Sequence, residues 1–318
     1  MGKYRHLSRT ATAEGHFVIM AIDHRANLLE KLNQYVPSPL TDDGFVAFKQ
    51  TVLKTLAPLS SAVLTDPAYG IGAGIASGAI NGQIGLLAPV EVTDYDLHPS
   101  QRSMQFIPHW SVKKIKMVGG DGVKLLLPYH PQADNVEETQ PIVRQIVDDC
   151  ARYDIPFFLE PIPYSLDPAT PLKNDELLQI SIDMCKTFSS MGVDILKLLF
   201  PLDHKQSEDE GEWLSACQQV NDACSVPWAL LSAGVNYDTF LKQSRIACQA
   251  GASGVIVGRA VWGEAVELEG EARLDFLSEV AVKRMKELGV VCAEQGTPWQ
   301  RSVPAPIEGL NWYETYLY

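Results

Sequence analysis

The sequence predicts a single-domain α/β protein of the (β/α)8, or TIM-barrel, class. Two observations carry that reading. Short apolar runs bounded by turn residues recur eight times, and longer segments of helical periodicity lie between them. Strand and helix alternating eight times is the pattern of a closed parallel barrel.

The runs are HFVIMAID, SAVLTDP, QIGLLAPV, GVKLLLPY, PFFLEPI, VDILKLLFP, PWALLSAG and GVIVGRA. Their near-continuous apolar character suits strands covered on both faces. Segments such as ETQPIVRQIVDDCARY, NDELLQISIDMCKTFSSMG and YDTFLKQSRIACQAG carry apolar residues at helical spacing. A doubly wound open sheet is the alternative. It is weakened because no G-x-G-x-x-G turn follows the first run. From about residue 270 the chain reads as a helical and then irregular extension, EARLDFLSEVAVKRMKELG followed by an aromatic end.

Composition narrows the function. The 318 residues are 46% apolar and 20% charged, which is ordinary for a globular protein with a large core. A formal net charge of −13 argues against a nucleic-acid footprint, which needs clustered Lys and Arg. An anionic substrate would require basic residues that overrule this charge locally. No run reaches the length of a membrane span, and the apolar run near the start is short for a signal peptide. The six cysteines, Cys150, Cys185, Cys217, Cys224, Cys248 and Cys292, include no C-x-x-C pair and read as free thiols of a reducing compartment. The expectation is a cytoplasmic protein.

In such a barrel, chemistry sits where the strands end. The polar residues fall there: Asp23-His24-Arg25 after strand one, Asp66 after two, Glu91 after three, Lys124 in four, Glu160 in five, Lys197 in six, Ser232-Ala233-Gly234 after seven and Gly258-Arg259 after eight. Lys197 is the most informative. It shares a period-two face with Val193, Ile195 and Leu199. A lysine against the helix layer would be costly, so that face points into the barrel. There, desolvation favours the neutral amine that attacks carbonyls. A structural lysine paired with a carboxylate is the competing reading. Glu160 lies two residues after Phe158 and shares its face; if Phe158 points inward, Glu160 does too and can approach Lys197 from the neighbouring strand, as a proton shuttle or as a neutralising ion pair. Lys124 is a similar inward candidate, or a side chain that snorkels to the rim. The glycine-bearing turns after strands seven and eight, with helix N-termini following, make an anion cradle to which Arg259 adds a bidentate cation. His24, His130 and His204 also follow strands and raise a metal reading, but neither H-x-H nor H-E-x-x-H spacing is present.

The ordered set AIDHRANL, LTDPAYG, VKLLLPY, IPFFLEPIPY, VDILKLLFP, PWALLSAGV and GASGVIVGRAVWGEAVE resembles the class I tagatose 1,6-bisphosphate aldolase family, with the sulfofructose-phosphate aldolases as a related branch. The resemblance runs from about Gly15 to Glu267, with TPWQRSV also similar. It implies reversible aldol cleavage through a Schiff base, with no cofactor and no metal, of a phosphorylated ketose by a homo-oligomer. Carried over by position, Lys197 forms the imine and Glu160 transfers protons. Asp23, Arg25 and Lys124 contact substrate hydroxyls or the distal anion, with His24 beside them. Ser232, Gly234, Gly258 and Arg259 hold the phosphate of the dihydroxyacetone phosphate half. Asp66 positions Lys197 or water. His24 stands where the family commonly has Gln, and Leu199 where it commonly has Glu. Both departures bear on substrate identity. A distal sulfonate in place of phosphate is an alternative, as is a sugar-phosphate-binding protein without catalysis.

Overall fold

The structure is a computed structural model and describes residues 1–92, 97–303, 305, 309–314 and 316. The eight apolar runs form eight barrel strands: β1 (Phe17–Ile22), β2 (Ala62–Thr65), β3 (Gly85–Pro89), β4 (Gly122–Tyr129), β5 (Phe157–Pro163), β6 (Ile195–Leu198), β7 (Trp228–Leu231) and β8 (Gly254–Val257). Each pairs in parallel with its sequence neighbours, and β8 closes on β1. The right-handed crossover rule produces this order when every strand is followed by a helix that packs outside.

The period-two pattern separates two cores. Phe17, Ile19, Ala21, Ala62, Leu64, Leu87, Phe158, Ile195, Ala229 and Ile256 pack together inside the barrel. Val18, Met20, Val63, Leu86, Val123, Leu125, Phe157, Leu159, Leu196, Trp228, Leu230 and Val255 belong to the cluster between strands and helices. The bottom of the barrel is plugged. Leu7 of the helix Gly2–Thr10 and Trp299, both buried, pack against the inner core. Tyr4 stacks edge-on to Trp299 with ring centroids 4.8 Å apart. Residues Gly270–Gln295 form a continuous helical run, and Leu277, Ala281, Met285, Leu288 and Cys292 are buried along it. This run follows β8 and supplies the last helical cover of the ring.

One element has no sequence signal. Glu91–Val92 and Gln105–Phe106 form a two-stranded antiparallel ribbon over the top of β3 and β4. Two-residue strands carry no periodicity to read. Among the described residues, no helix is long and apolar enough to cross a membrane.

Closure of the barrel depends on close backbone approach between β1 and β8. Gly254 has φ +136°, and a Cβ there would lie 2.0 Å from the Phe17 carbonyl oxygen. Backbone cannot yield as a side-chain tip can. Gly254→Ala is therefore expected to lower stability by about 3 kcal/mol, read as a fall in the urea midpoint. An unchanged midpoint would refute this account of the seam.

Candidate active site

At the upper end of the barrel the inward positions turn from apolar to charged. Phe158 and Ile195 are inner core residues, and two residues along their strands come Glu160 and Lys197. On β4, Lys124 pairs in register with Phe158 and also faces inward. Glu91 continues the inward parity of Leu87 at the end of β3. The inner positions therefore meet in a layer. Lys197 Nζ lies 2.9 Å from Glu160 Oε2. Lys124 Nζ lies 3.0 Å from the same oxygen, 2.8 Å from Glu91 Oε1 and 3.0 Å from Asp23 Oδ2. Lys124, Glu91, Glu160 and Lys197 are all at most 5% exposed.

Ions this deeply placed persist only when paired. Burial opposes the charge on Lys124, but Asp23, Glu160 and Glu91 outweigh it and hold the ammonium well above the ordinary lysine range. Burial likewise works against Glu160, yet Lys124 and Lys197 keep its carboxyl below the usual range. Asp23 is driven far lower: burial is again overcome by Lys124 and Lys197. Glu91 moves the other way. Its burial outweighs Lys124 and raises it, with Asp23 adding repulsion. The cluster thus holds two firmly ionised carboxylates and one that keeps a proton more readily.

These residues open onto a cavity of about 270 Å³, whose lining includes Asp23, His24, Arg25, Lys124, Glu160 and Lys197 and a second group, Ser232, Gly234, Gly258 and Arg259. The second group sits on two turns. After β7, Ala233 and Gly234 both take positive φ, 47° and 77°, and Val235 N–H donates to the Ser232 carbonyl at 3.0 Å. The positive φ at Gly234 is what favours glycine there, and the Arg259 guanidinium lies in ordinary contact beside it. The helix Tyr237–Ala250 follows, capped by the Asn236 side chain. After β8, Gly258 packs against β1, where a Cβ would lie 3.1 Å from the Ala21 carbonyl. Exposed Arg259 and these turns bring positive charge and backbone N–H groups to the rim of the cavity.

Asp23, His24 and Arg25 approach from the end of β1. The His24 ring stands edge-on to Trp262 at 5.8 Å, and Trp262 Nε1 donates to the Ala21 carbonyl at 3.0 Å. Arg25 Nη2 donates to the Glu91 carbonyl at 2.7 Å, tying this loop to the ribbon. Burial lowers the His24 pKa to about 4, with Asp23 opposing and Arg259, Lys197 and Lys49 reinforcing. His24 is thus a neutral imidazole at neutral pH.

One expected placement differs. Asp66 does not line the cavity. Its carboxylate pairs with Lys49 of the helix Asp42–Leu56 and accepts from Ala68 N–H and Tyr69 N–H, so it caps the turn after β2. A capping aspartate at a strand end gains two backbone donors by turning aside, which period-two parity does not foresee. Lys124 lines the cavity, but three carboxylates surround its ammonium, which has only three N–H donors. The three histidines do not converge: His130 lies 3.9 Å from Glu176, His204 3.6 Å from Asp203, and His24 beside Asp23. Glu91 and Lys49 are the residues to which sequence reading gave no role. The parity of Leu87, Pro89 and Glu91 was the available signal for the first. Nothing marked the second, a lysine within an amphipathic helix.

A closed parallel barrel with buried lysines and carboxylates at its open end is the architecture of a barrel enzyme. The chain belongs to the DeoC/LacD aldolases: the model of the DeoC/LacD family aldolase matches residues 17–264. It is 31% identical over 325 residues to tagatose 1,6-diphosphate aldolase 2 of Streptococcus mutans, covering 95% of this chain and 97% of that one. Against the enzyme of the same name from Enterococcus faecalis it is 31% identical over 324 residues, covering 95% and 97%. Among solved structures, an archaeal fructose-1,6-bisphosphate aldolase with its catalytic lysine bound to a carbinolamine intermediate aligns with TM-score 0.60 and 16% identity, over 91% of this chain and 98% of that chain. That likeness concerns the fold.

The depressed His24 pKa has a thermodynamic consequence. The folded chain protonates His24 only near pH 4, whereas an unfolded histidine titrates near 6.5. Between these values the unfolded state binds more protons. The stability is fully present above pH 6.5 and is lost as pH falls toward 4. Between pH 7 and 5 His24 should account for about 2 kcal/mol of lost stability. Urea titrations of wild type and His24→Gln at both pH values check this, and equal losses in the two proteins would count against it.

Proposed function

We propose that the chain is a class I aldolase that reversibly cleaves a ketose 1,6-bisphosphate of the tagatose or fructose type to dihydroxyacetone phosphate and glyceraldehyde 3-phosphate. The observation that carries the reading is Lys197, buried at the barrel mouth 2.9 Å from an ionised Glu160 and facing a turn-borne anion cradle. The tagatose-diphosphate aldolases, related over nearly the whole chain, support the substrate class.

The cradle of Ser232, Gly234, Gly258 and Arg259 takes the C1 phosphate and so fixes the C2 carbonyl over Lys197. The Lys197 amine adds to C2. Loss of water from the carbinolamine leaves a protonated imine. Glu160, directly or through water, takes the proton of the C4 hydroxyl. The C3–C4 bonding electrons then move into the imine, and the aldehyde departs. A proton added at C3 of the enamine restores the imine, and water releases dihydroxyacetone phosphate and the free amine. Glu160 suits the base role because the Lys124 ammonium beside it, together with the cation formed on Lys197, keeps it ionised in a buried site. When it takes a proton, Asp23 and Glu91 still compensate Lys124. Asp23, His24 and Arg25 lie where the hydroxyls and distal anion of the substrate would extend.

Lys197→Ala should abolish cleavage with an unchanged circular-dichroism spectrum. Glu160→Gln should lower kcat by about 10²- to 10⁴-fold, measured as triose phosphate release. Borohydride with dihydroxyacetone phosphate should leave a reduced adduct on Lys197 in intact-mass and peptide spectra, with or without EDTA. Substantial turnover by Lys197→Ala would sink the mechanism.

A further inference from the structure

Lys49 lies outside the barrel, on the helix Asp42–Leu56, and has no exposed surface. A fully buried lysine in a helix–strand layer is rare. Its ammonium has two polar partners. One is the Asp66 carboxylate. The other is the carbonyl of Ile22, 3.1 Å away. The rings of Phe45 and Tyr69 cover it at 5.1 and 5.9 Å. Ile22 is the last residue of β1, and its carbonyl shares a rigid peptide plane with the nitrogen of Asp23. Thr65 Oγ1 donates to the same carbonyl at 3.3 Å. Asp66 is itself fixed by Ala68 N–H and Tyr69 N–H at 3.0 and 2.8 Å.

We propose that the Lys49–Asp66 pair is a positioning device for the Asp23-His24-Arg25 loop, and through it for the aldehyde half of the substrate. The inference rests on the aldolase reading above. Buried ion pairs contribute little net stability compared with apolar groups of the same volume, so stability alone does not account for one here. Its placement does. The ammonium braces the peptide from which the loop departs, on the side away from the cavity. On the cavity side, Asp23 reaches Lys124 at 3.0 Å and Arg25 reaches the Glu91 carbonyl at 2.7 Å. The loop is therefore clamped from both faces. Lys197 and the turn after β7 stand on strands separated from β1 by β8, whereas the turn after β8 adjoins the loop through Gly258 and Trp262. The bonds of Lys49 go to Ile22 and Asp66, so the brace acts directly on the β1 end of the site.

Lys49→Met alone would leave Asp66 as an unpaired buried charge and is prone not to fold. The informative protein is the double variant Lys49→Met/Asp66→Asn, which removes both charges, keeps the volume and keeps an acceptor for the turn after β2. Two readouts are compared with wild type: borohydride-trapped adduct of dihydroxyacetone phosphate on Lys197, and kcat for ketose bisphosphate cleavage. Val220→Ala, a cavity in the helix Glu210–Ala223, serves as a control for general destabilisation. The expected result is wild-type adduct yield with cleavage lowered about 100-fold, the scale of a misplaced reacting group, while the control keeps both. Cleavage within threefold of wild type overturns the inference. So does adduct yield that falls in step with cleavage. A wild-type chain that traps no adduct overturns instead the imine reading, and this inference with it.

Discussion

Lys124 at the centre of three carboxylates is the interaction on which the upper barrel depends. Charges buried in a barrel interior are weakly screened, so each must be answered by a neighbour. Asp23, Glu91 and Glu160 come from three different strand ends, and Lys124 meets them from a fourth. The ammonium therefore fixes the relative positions of β1, β3, β4 and β5 at the mouth. Lys197 joins the same network through Glu160 Oε2, which it shares with Lys124. Fixing three strand ends around one ammonium also sets the proton affinities that the chemistry uses. Glu160 is held ionised while Glu91, with one lysine partner and more burial, is not held as firmly.

This polar layer is possible because the rest of the barrel is closed. Trp299 and Leu7 seal the lower end, and Phe158, Ile195, Ala229 and Ile256 fill the middle. Each fully buried large apolar side chain contributes about 2 kcal/mol, and the charged layer rests on that packed floor. The floor fixes the heights at which Glu160 and Lys197 emerge, since each stands one pleat above an inner core residue. The open end is then lined by loops, and loops carry function where a rigid scaffold positions them.

Two ion-bearing layers therefore bracket β1. Inside is the Lys124 cluster, and outside is the Lys49–Asp66 pair, with the Ile22–Asp23 peptide between them. The Arg25 tie to Glu91 extends the bracket to the ribbon. The turn after β7, where Ala233 and Gly234 accept left-handed backbone, adds backbone geometry to a rim otherwise built from charges.

The eight strands, their inward faces and the lysine and glutamate pair were legible in the chain itself. Period-two alternation makes Phe158 and Glu160, or Ile195 and Lys197, share a face whatever the surroundings, and apolar content marks the strands. The glycine turns after β7 and β8 were legible for the same local reason. Tertiary structure decided which charges meet. Glu91 joined the site because the ribbon and β4 brought it to Lys124, and a single strand end does not reveal its partner. Asp66 had the parity of a site residue, yet it turned to Lys49 and to two backbone donors, since local hydrogen bonds and a buried cation outweighed the pleat. Lys49 looked like any polar position of an amphipathic helix. Its burial follows from the helix packing over β1 and β2, a relation between segments distant in sequence. Local periodicity fixes which way a side chain points, and only packing fixes what it finds there.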